Sequence, residues 1–280
     1  MMTSFDELVD SYSCIFFDAY GVLKSSAGVY PGVLDVLEDL RKRDKQIYVV
    51  TNDASKSPHR LAKAYERDGE PLVPVKRIVS SGLLVEDYLR NKVRSGWVAY
   101  LGKEAAAYYI AAAGLHPIPI TEVTPEDHSP RCIVMLDDEG FDWFRDVNKV
   151  VNLVRRHNIP VVVANTDITY PANQDDLNVA AGGLARLVEV ATGRQFIHFG
   201  KPDPMIFSKA FHLALDENPR LTKRDVLMVG DTLTTDIVGG NKYGVDTALV
   251  LSGTTLENQA QALIQATGIV PTYICGSILT

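Results

Sequence analysis

Short apolar runs alternate with amphipathic stretches along this chain, and the alternation predicts an α/β fold. The apolar runs are rich in valine, isoleucine and tyrosine, as buried β-strands are. We predict seven strands from these runs: Cys14–Phe17, Ile47–Val50, Trp97–Leu101, Cys132–Leu136, Pro160–Ala164, Val226–Val229 and Thr247–Leu251. Strands that alternate with helices usually form a parallel sheet with right-handed crossovers, so a mainly parallel sheet is expected.

The amphipathic stretches between the strands predict helices. In PGVLDVLEDLRKRD, Pro31 suits an early helical position. The apolar residues that follow fall on one helical face, opposite the charges: Val33, Leu34, Leu37 and Leu40.

A second helix, predicted over residues 177–193, contains the pair Gly182-Gly183. Each glycine costs about 1 kcal/mol relative to alanine inside a helix, so the pair needs a reason. Close packing of another backbone is one interpretation, and the approach of a ligand is the other. The polar, proline-containing segment 117–130 is interpreted as a connection.

Composition narrows the class of protein. The 280 residues, 46% of them hydrophobic, are enough for one large core or two smaller ones. Lys and Arg number 28 against 35 Asp and Glu, which gives a net charge of −7. An acidic surface argues against nucleic acid or an anionic membrane as the main partner, although a local basic site for phosphate is compatible with it.

Three features indicate a soluble cytoplasmic protein. Cys14, Cys132 and Cys275 lie far apart without CxxC spacing, which is typical of core residues in a reduced compartment. The N-terminal MMTSFDELVDSY has acids where a signal peptide has a basic and then an apolar region. No apolar run approaches the roughly 18 residues of a membrane-spanning helix.

Four short motifs carry candidate chemistry. In FFDAYGVL, Asp18 follows the first strand, where ligands gather in open α/β sheets; the alternative is a turn-forming aspartate before Gly21. In VVTND, Thr51 and Asn52 offer a hydroxyl and an amide to phosphate oxygens; the alternative is an N-cap for the next helix.

The other two motifs supply charge. In FGKPDP, Lys201 offers a compact cation suited to phosphate, whereas most single lysines are solvated surface groups. In MVGDTLTTDI, Asp231 ends a strand and Asp236 lies in or near the first turn of the next helix. Carboxylates that converge at strand ends form the oxygen site that Mg²⁺ prefers. The alternative for Asp236 is a favourable charge near a helix N-terminus.

Taken in order, D-x-x-G-V, T-N, G-K-P and G-D-x-x-x-x-D resemble the motifs of the haloacid dehalogenase (HAD) superfamily. The stretches V-Y-P-G, T-N-D-A-S, S-S-G, A-N-T-D and G-K-P-D-P resemble its NagD-like branch (class IIA, C2-type cap), which includes p-nitrophenyl and sugar-phosphate phosphatases. The resemblance covers about residues 12–276. It implies a Rossmann-like core (residues 1–82 and 198–280), an inserted α/β cap (residues 83–197) and an active site between them.

The resemblance also implies roles. Asp18 resembles the nucleophile that becomes an aspartyl-phosphate, and Lys201 resembles the lysine that offsets the charge there. Thr51 and Asn52 resemble the groups that hold the transferring phosphoryl group.

A Mg²⁺ site is implied as well. Asp231 resembles a metal ligand, joined by the Asp18 carboxylate and the backbone carbonyl of Tyr20. Asp236 resembles the acid that positions the metal's waters or the lysine.

One position departs from the pattern. Phosphatases of this family have an aspartate, the general acid and base, where this chain has Tyr20, and such catalysis contributes roughly 10²–10⁴-fold. A tyrosine with an ordinary pKa near 10 can donate a proton but is a poor base. Asp53 and Asp176 are candidate substitutes.

The cap is expected to choose the substrate. Asn165, Thr166 and Asp167 resemble a cap element that reaches toward the substrate, and the alternative is an Asx-type turn. The adjacent acids of residues 137–139 are interpreted as a solvated loop rather than a second acid site.

Together these features predict a slow Mg²⁺-dependent phosphatase of a small phosphorylated metabolite, such as a sugar phosphate. The expected partner is that phosphate ester, with no nucleic acid and no membrane, and a homodimer would suit the family. The alternatives are a non-catalytic phospholigand-binding or scaffolding protein and a phosphotransferase to an acceptor other than water.

Overall fold

The computed structural model describes residues 2–124, 129–172 and 176–279. Within these ranges the strands, in chain order, are β1 Cys14–Phe17, β2 Lys24–Ser25, β3 Gly28–Val29, β4 Gln46–Thr51, β5 Glu66–Arg67, β6 Glu70–Pro71, β7 Ile78–Ser80, β8 Trp97–Leu101, β9 His116–Pro119, β10 Cys132–Met135, β11 Val161–Val163, β12 Thr169–Pro171, β13 Leu177–Val179, β14 Ile197–His198, β15 Val226–Gly230, β16 Asp246–Val250 and β17 Tyr273–Cys275. The α-helices there are α1 Phe5–Val9, α2 Val33–Lys42, α3 Pro58–Ala62, α4 Ser81–Tyr88, α5 Tyr108–Ala112, α6 Trp143–Arg156, α7 Ala181–Thr192, α8 Pro204–Glu217, α9 Val238–Tyr243 and α10 Glu257–Thr267.

The larger sheet is parallel and has six strands in the order β17-β16-β15-β1-β4-β7. β1 lies inside it, and all four of its residues are fully buried. Cys14 and Phe16 belong to one apolar cluster, Ile15 and Phe17 to another, because alternate side chains point to opposite faces. A strand buried on both faces is apolar throughout, which made β1 recognisable in the sequence.

The second sheet is also parallel, in the order β14-β11-β10-β8-β9. All its strands come from residues 97–198, so it is inserted in the chain between β7 and β15. Helices α6 and α7 cover one face, where Val150 and Leu184 join the apolar cluster of Ile133 and Val163. The predicted α/β class with parallel sheets and an inserted α/β unit is confirmed.

All seven predicted strands are present, and the additional strands of the two sheets are their edges. β7 and β17 close the larger sheet, and β9 and β14 close the second. β9 contains Pro117 and Pro119, which an edge strand tolerates because its outer side needs no ladder hydrogen bonds. The interpretation of residues 117–130 as a connection is therefore wrong for 117–119; residues 125–128 lie outside the described ranges.

The helix predicted over residues 177–193 begins later than expected. Leu177–Val179 form β13, which pairs antiparallel with β12, and α7 follows. A Cβ atom on Gly182 would lie 2.5 Å from the carbonyl oxygen of Asp167, and one on Gly183 would lie 2.8 Å from that of Ile168. Close backbone packing therefore explains the glycine pair.

Two further expectations, for a helix and for the cysteines, are met in the described ranges. The amphipathic helix after Pro31 is α2, whose Val33, Leu37 and Leu40 are buried. The three cysteines are buried free thiols. No helix of the described residues has the length and apolar character needed to cross a membrane.

Candidate active site

The predicted site residues of the larger sheet meet at its carboxyl edge. Asp18 follows β1, Thr51 ends β4 and Asp231 follows β15, and these strands are neighbours. Asp236 lies in the π-helical turn Leu233–Ile237, directly before α9. Because adjacent parallel strands end side by side, motifs far apart in the sequence form one site.

Lys201 is buried against this edge. Its Nζ atom lies 2.6 Å from Oδ1 of Asp18 and 2.6 Å from Oδ1 of Asp236, and 1% of its side chain is exposed. Burial lowers the pKa of Lys201, but the carboxylates of Asp18 and Asp236 more than offset this and hold the pKa above its ordinary value. Lys201 is therefore a buried cation next to the predicted nucleophile, not a solvated surface lysine.

Three carboxylates converge around this cation. Asp18, Asp231 and Asp236 each place an oxygen within 4.8 Å of the others. Burial raises the pKa of Asp18; Lys201 opposes the rise, and Asp236 and Asp231 add to it. Burial and Asp236 also raise the pKa of Asp231 to about 6. When all three carboxylates are ionised, the single ammonium group of Lys201 balances only part of their negative charge. A divalent cation would neutralise the rest.

The surroundings of this cluster fit Mg²⁺, which takes oxygen ligands. A Cβ atom on Gly21 would lie 2.0 Å from Oδ2 of Asp231, and one on Gly253 would lie 2.1 Å away, so glycine is needed at both positions. The backbone N–H of Thr254 donates to Asp231 Oδ2 at 2.5 Å and orients the carboxylate. The backbone carbonyl of Tyr20 stays a predicted further ligand.

The Asn52 side chain connects the larger sheet with the loop after β11. Its Nδ2 donates to Thr166 Oγ1 and Asp167 Oδ1, each at 2.9 Å, and to the Lys201 carbonyl at 3.1 Å. Its Oδ1 accepts the Lys201 N–H at 2.7 Å. Asn52 thus holds both Lys201 and the cap loop, and its contact with phosphate stays a prediction.

Thr51 lies beside Asn52 at the end of β4. Its hydroxyl oxygen accepts the N–H of Asp53 at 3.1 Å. Neither Thr51 nor Asn52 caps the next helix, because α3 begins at Pro58 and its N-cap is Ser57. The N-cap alternative is therefore wrong, and the role of Thr51 toward phosphate stays a prediction.

The Asx-turn interpretation of the A-N-T-D stretch is confirmed, and its reach toward the substrate stays a prediction. Asn165 Oδ1 accepts the N–H of Asp167 at 2.9 Å, which forms an Asx turn. The same turn reaches the larger sheet, where the Thr166 hydroxyl donates to the Lys201 carbonyl. Burial raises the pKa of Asp167 to about 6, although Lys201 and the hydrogen bond from Asn52 oppose the rise.

Tyr20 is enclosed by aromatic and charged groups. Its ring makes an edge contact with Tyr170 of β12, with centroids 5.4 Å apart. Lys24 Nζ lies 4.2 Å from the Tyr20 ring centroid. Burial, together with the Asp53 carboxylate, raises the pKa of Tyr20. At neutral pH the Tyr20 hydroxyl is therefore even less able to act as a base than that of an ordinary tyrosine.

The two candidate substitutes for the missing acid are placed differently. Asp53 is buried, and its Oδ1 accepts the N–H and the hydroxyl of Ser55 at 2.9 and 2.6 Å. Its Oδ2 lies 3.4 Å from Lys24 Nζ. Asp176 is exposed in the loop before β13. Only Asp53 of this pair shares a cleft with Tyr20 in the part of the chain that the structure describes.

That cleft has a volume of about 90 Å³ and lies beside the carboxylate cluster, with Tyr20 and Asp167 in its wall. The other described residues that line it are Asp53, Ser55, Lys56, Lys103, Leu136, Asp137, Asp138, Glu139, Asn165 and Tyr170. Asp137 and Asp138 follow β10, and 8% of each is exposed. The solvated-loop interpretation of residues 137–139 is therefore wrong for these two and fits only Glu139.

Two residues of the cleft region were not foreseen from the sequence. Lys24 reaches Tyr20 from the β2–β3 hairpin, and Tyr170 reaches it from the β12–β13 hairpin. The hydroxyl of Tyr170 also donates to Asp138 Oδ2 at 3.1 Å. No motif marks either residue. Lys24 forms a local bridge with Tyr20, whereas the contact of Tyr170 depends on how the inserted segment packs against the larger sheet.

The fold is that of a HAD-type hydrolase, and comparison with known families agrees. A profile for haloacid dehalogenase-like hydrolases matches residues 15–116, and a HAD-hydrolase-like profile matches residues 198–279. The chain therefore belongs to the haloacid dehalogenase-like hydrolases.

Relatives match over nearly the whole chain. Chronophin from Mus musculus is 30% identical, over 94% of this chain and 90% of the relative. A possible sugar phosphatase of the HAD superfamily from Cytophaga hutchinsonii is 45% identical, with a TM-score of 0.94 over 100% of this chain and 99% of that one. A glycerol phosphate phosphatase from Mycobacterium tuberculosis in complex with magnesium is 26% identical, with a TM-score of 0.75 over 96% of this chain and 77% of that one. The predicted family and NagD-like branch are confirmed, and the chain is an enzyme of the phosphoric monoester hydrolase kind.

Proposed function

We propose that this protein hydrolyses a small phosphorylated metabolite, such as a sugar phosphate, with Mg²⁺ and through an aspartyl-phosphate at Asp18. The arrangement of three buried carboxylates around Lys201 supports this most directly. A protein that only bound phosphate would not need a carboxylate at the nucleophile position, since it would repel the ligand.

In the proposed first step, Asp18 attacks the phosphorus atom and the bond from phosphorus to the leaving oxygen breaks. The alkoxide or phenolate that leaves takes up a proton. In the second step, water attacks the aspartyl-phosphate, inorganic phosphate leaves and the carboxylate of Asp18 is restored. Bound Mg²⁺ would neutralise charge on the transferring phosphoryl group.

The chain's own residues position these steps. Lys201, fixed by Asn52 and Asp236, offsets negative charge beside Asp18. Tyr20, with its raised pKa, gives little help as a base in the second step. We therefore infer a slow enzyme, limited by its two proton-dependent steps.

Release of phosphate from 4-nitrophenyl phosphate and from an alkyl phosphate, with Mg²⁺, tests the proposal. The aryl ester should react faster, because its leaving group needs little protonation. Asp18→Asn should be inactive on both. Activity that survives Asp18→Asn would remove the proposed nucleophile, and equal rates on both esters would contradict the loss of acid catalysis.

A further inference from the structure

Asp137 lines the cleft, and one of its carboxylate oxygens is buried without a hydrogen-bond partner among the described residues. Asp137 is buried, with 8% of its surface exposed, and its Oδ2 has no partner among the described residues. Its Oδ1 accepts the N–H of Asp138 at 2.9 Å. A buried acceptor without a partner costs free energy, so a site that keeps one is poised to receive a donor from elsewhere.

The backbone around Asp137 fixes its position. Asp137 follows β10, the central strand of the second sheet, and its N–H donates to the Leu101 carbonyl at 3.3 Å. A Cβ atom on Gly102 would lie 3.1 Å from the Cβ of Asp137, and one on Gly140 would lie 2.9 Å from the Gly102 carbonyl oxygen. The two loops are therefore in close backbone contact, and the carboxylate is held at the cleft wall rather than on a free loop.

The charges that line the cleft restrict which leaving groups can bind there. Five of its lining side chains are acidic and two are basic: Asp53, Asp137, Asp138, Glu139 and Asp167 against Lys56 and Lys103. Lys103 is itself paired with Glu139 at 2.5 Å. A leaving group with a second anion would be repelled from this lining, whereas hydroxyl or ammonium groups would be attracted.

We propose that Asp137 selects the substrate by accepting a hydrogen bond from a hydroxyl or ammonium group on the leaving-group side of the phosphate ester. This inference rests on the proposed phosphatase function and specifies its substrate class. Burial and then Asp138 raise the pKa of Asp137 to about 6, so the group is ionised and accepting at pH 7.5.

Alkyl phosphates of two to five carbons that end in a methyl, hydroxyl or ammonium group test this. For at least one chain length, the wild-type kcat/KM at pH 7.5 should be about 10- to 100-fold higher for the substrate with a terminal hydroxyl or ammonium group than for the one with a terminal methyl group. The hydroxyl and ammonium series show which donor is preferred. Equal values for all three end groups at every length would overturn the proposal.

Asp137→Asn is the diagnostic variant. The asparagine Oδ1 can keep the hydrogen bond from the Asp138 N–H. Its NH₂ group, which is a donor, then lies where the acceptor Oδ2 lies in wild type. The preference for donor end groups should disappear, while 4-nitrophenyl phosphate, whose leaving group has no donor, should still be hydrolysed, which shows that the variant is folded. A preference that persists in Asp137→Asn would also overturn the proposal.

Glu139→Gln is the matched control, because it removes one negative charge from the same cleft at an exposed position. It should keep the preference; a loss equal to that of Asp137→Asn would mean that general charge, not the Asp137 contact, is responsible. Absence of hydrolysis of any probe, including 4-nitrophenyl phosphate, would instead overturn the proposed function itself.

Discussion

Lys201 places its Nζ atom 2.6 Å from Oδ1 of Asp18, and both side chains are almost wholly buried. Replacing the lysine by methionine would leave buried carboxylates without their cation. We expect Lys201→Met to lower activity by about 10²- to 10³-fold and the free energy of unfolding by about 3–5 kcal/mol. Phosphate release and urea denaturation in EDTA measure the two effects.

Asp18→Asn is the control for this prediction. It also removes activity, but Lys201 keeps its partner Asp236 at 2.6 Å. The unfolding free energy of Asp18→Asn should therefore stay within about 1 kcal/mol of wild type or exceed it. A large destabilisation by Asp18→Asn, equal to that of Lys201→Met, would contradict the assigned balance of charges.

Mg²⁺ should stabilise the protein. A cation that binds only the folded state raises stability by about 2.7 kcal/mol at 100 times its Kd. The melting temperature should rise with Mg²⁺ concentration in wild type and much less in Asp231→Asn, which loses a carboxylate of the cluster. Glu257→Gln, at an exposed position of α10, should respond as wild type does. A wild-type melting temperature that does not change with Mg²⁺ would count against the site.

Tyr20→Asp should restore general acid and base catalysis. We expect at least about 10²-fold faster hydrolysis of alkyl phosphates and a smaller gain with 4-nitrophenyl phosphate. Lys24 Nζ, 4.2 Å from the Tyr20 ring centroid, can balance the added charge. Tyr20→Asn opens the same space without a titratable proton, so equal rates for the two variants would show that space, not proton transfer, limits the reaction.

The aspartyl-phosphate should accumulate in wild type. Since burial and Asp53 raise the pKa of Tyr20, little phenolate is present to activate water. Mixing with 4-nitrophenyl phosphate should give a burst of nitrophenolate close to the enzyme concentration, and rapid-quench mass spectrometry should find phosphate on Asp18. The burst should shrink in Tyr20→Asp. If wild type shows no phosphorylated Asp18 during turnover, the predicted accumulation of the aspartyl-phosphate is wrong.

Stability should depend on pH through Asp137. Its pKa is about 6 in the folded protein against an ordinary 3.8, so the folded state holds this proton more tightly. The carboxyl therefore favours folding below pH 3.8, and that contribution is lost as pH rises through 6. Above pH 6 the ionised group costs up to about 3 kcal/mol.

Asp137→Asn removes that cost. The variant should gain stability over wild type as pH rises from 4 to 7, measured by urea denaturation at each pH. Glu139→Gln is the matched control, because it removes one carboxylate from the same cleft at an exposed position. A gain in Asp137→Asn that is constant with pH would contradict the assigned titration.

The sequence predicted the strands and motifs that depend on local pattern. β1 and β15 are apolar at nearly every position, and the chemistry of Asp18 and Asp231 follows from their place at strand ends. The edge strands escaped prediction because they are short, with three residues in β7 and in β17 and two in β14; β9 has four but reads HPIP.

The sequence could not predict contacts set by packing between distant segments. Asn52 bonds to residues 114, 115 and 149 positions away, which no local pattern reveals. The burial of Asp137 and Asp138 depends on contact between two loops at Gly102 and Gly140, so three consecutive acids resembled a solvated loop.

The glycine pair at the start of α7 has a consequence for changing specificity in the laboratory or in evolution. Gly182 and Gly183 allow the backbone of residues 166–168 to rest directly on the helix, so mutations at these glycines would displace the loop that meets Asn52. That loop is a fixed part of the scaffold. Specificity for new substrates is more readily acquired by substitutions at Asp137 and its neighbours, where a side chain can change while the backbone keeps its position.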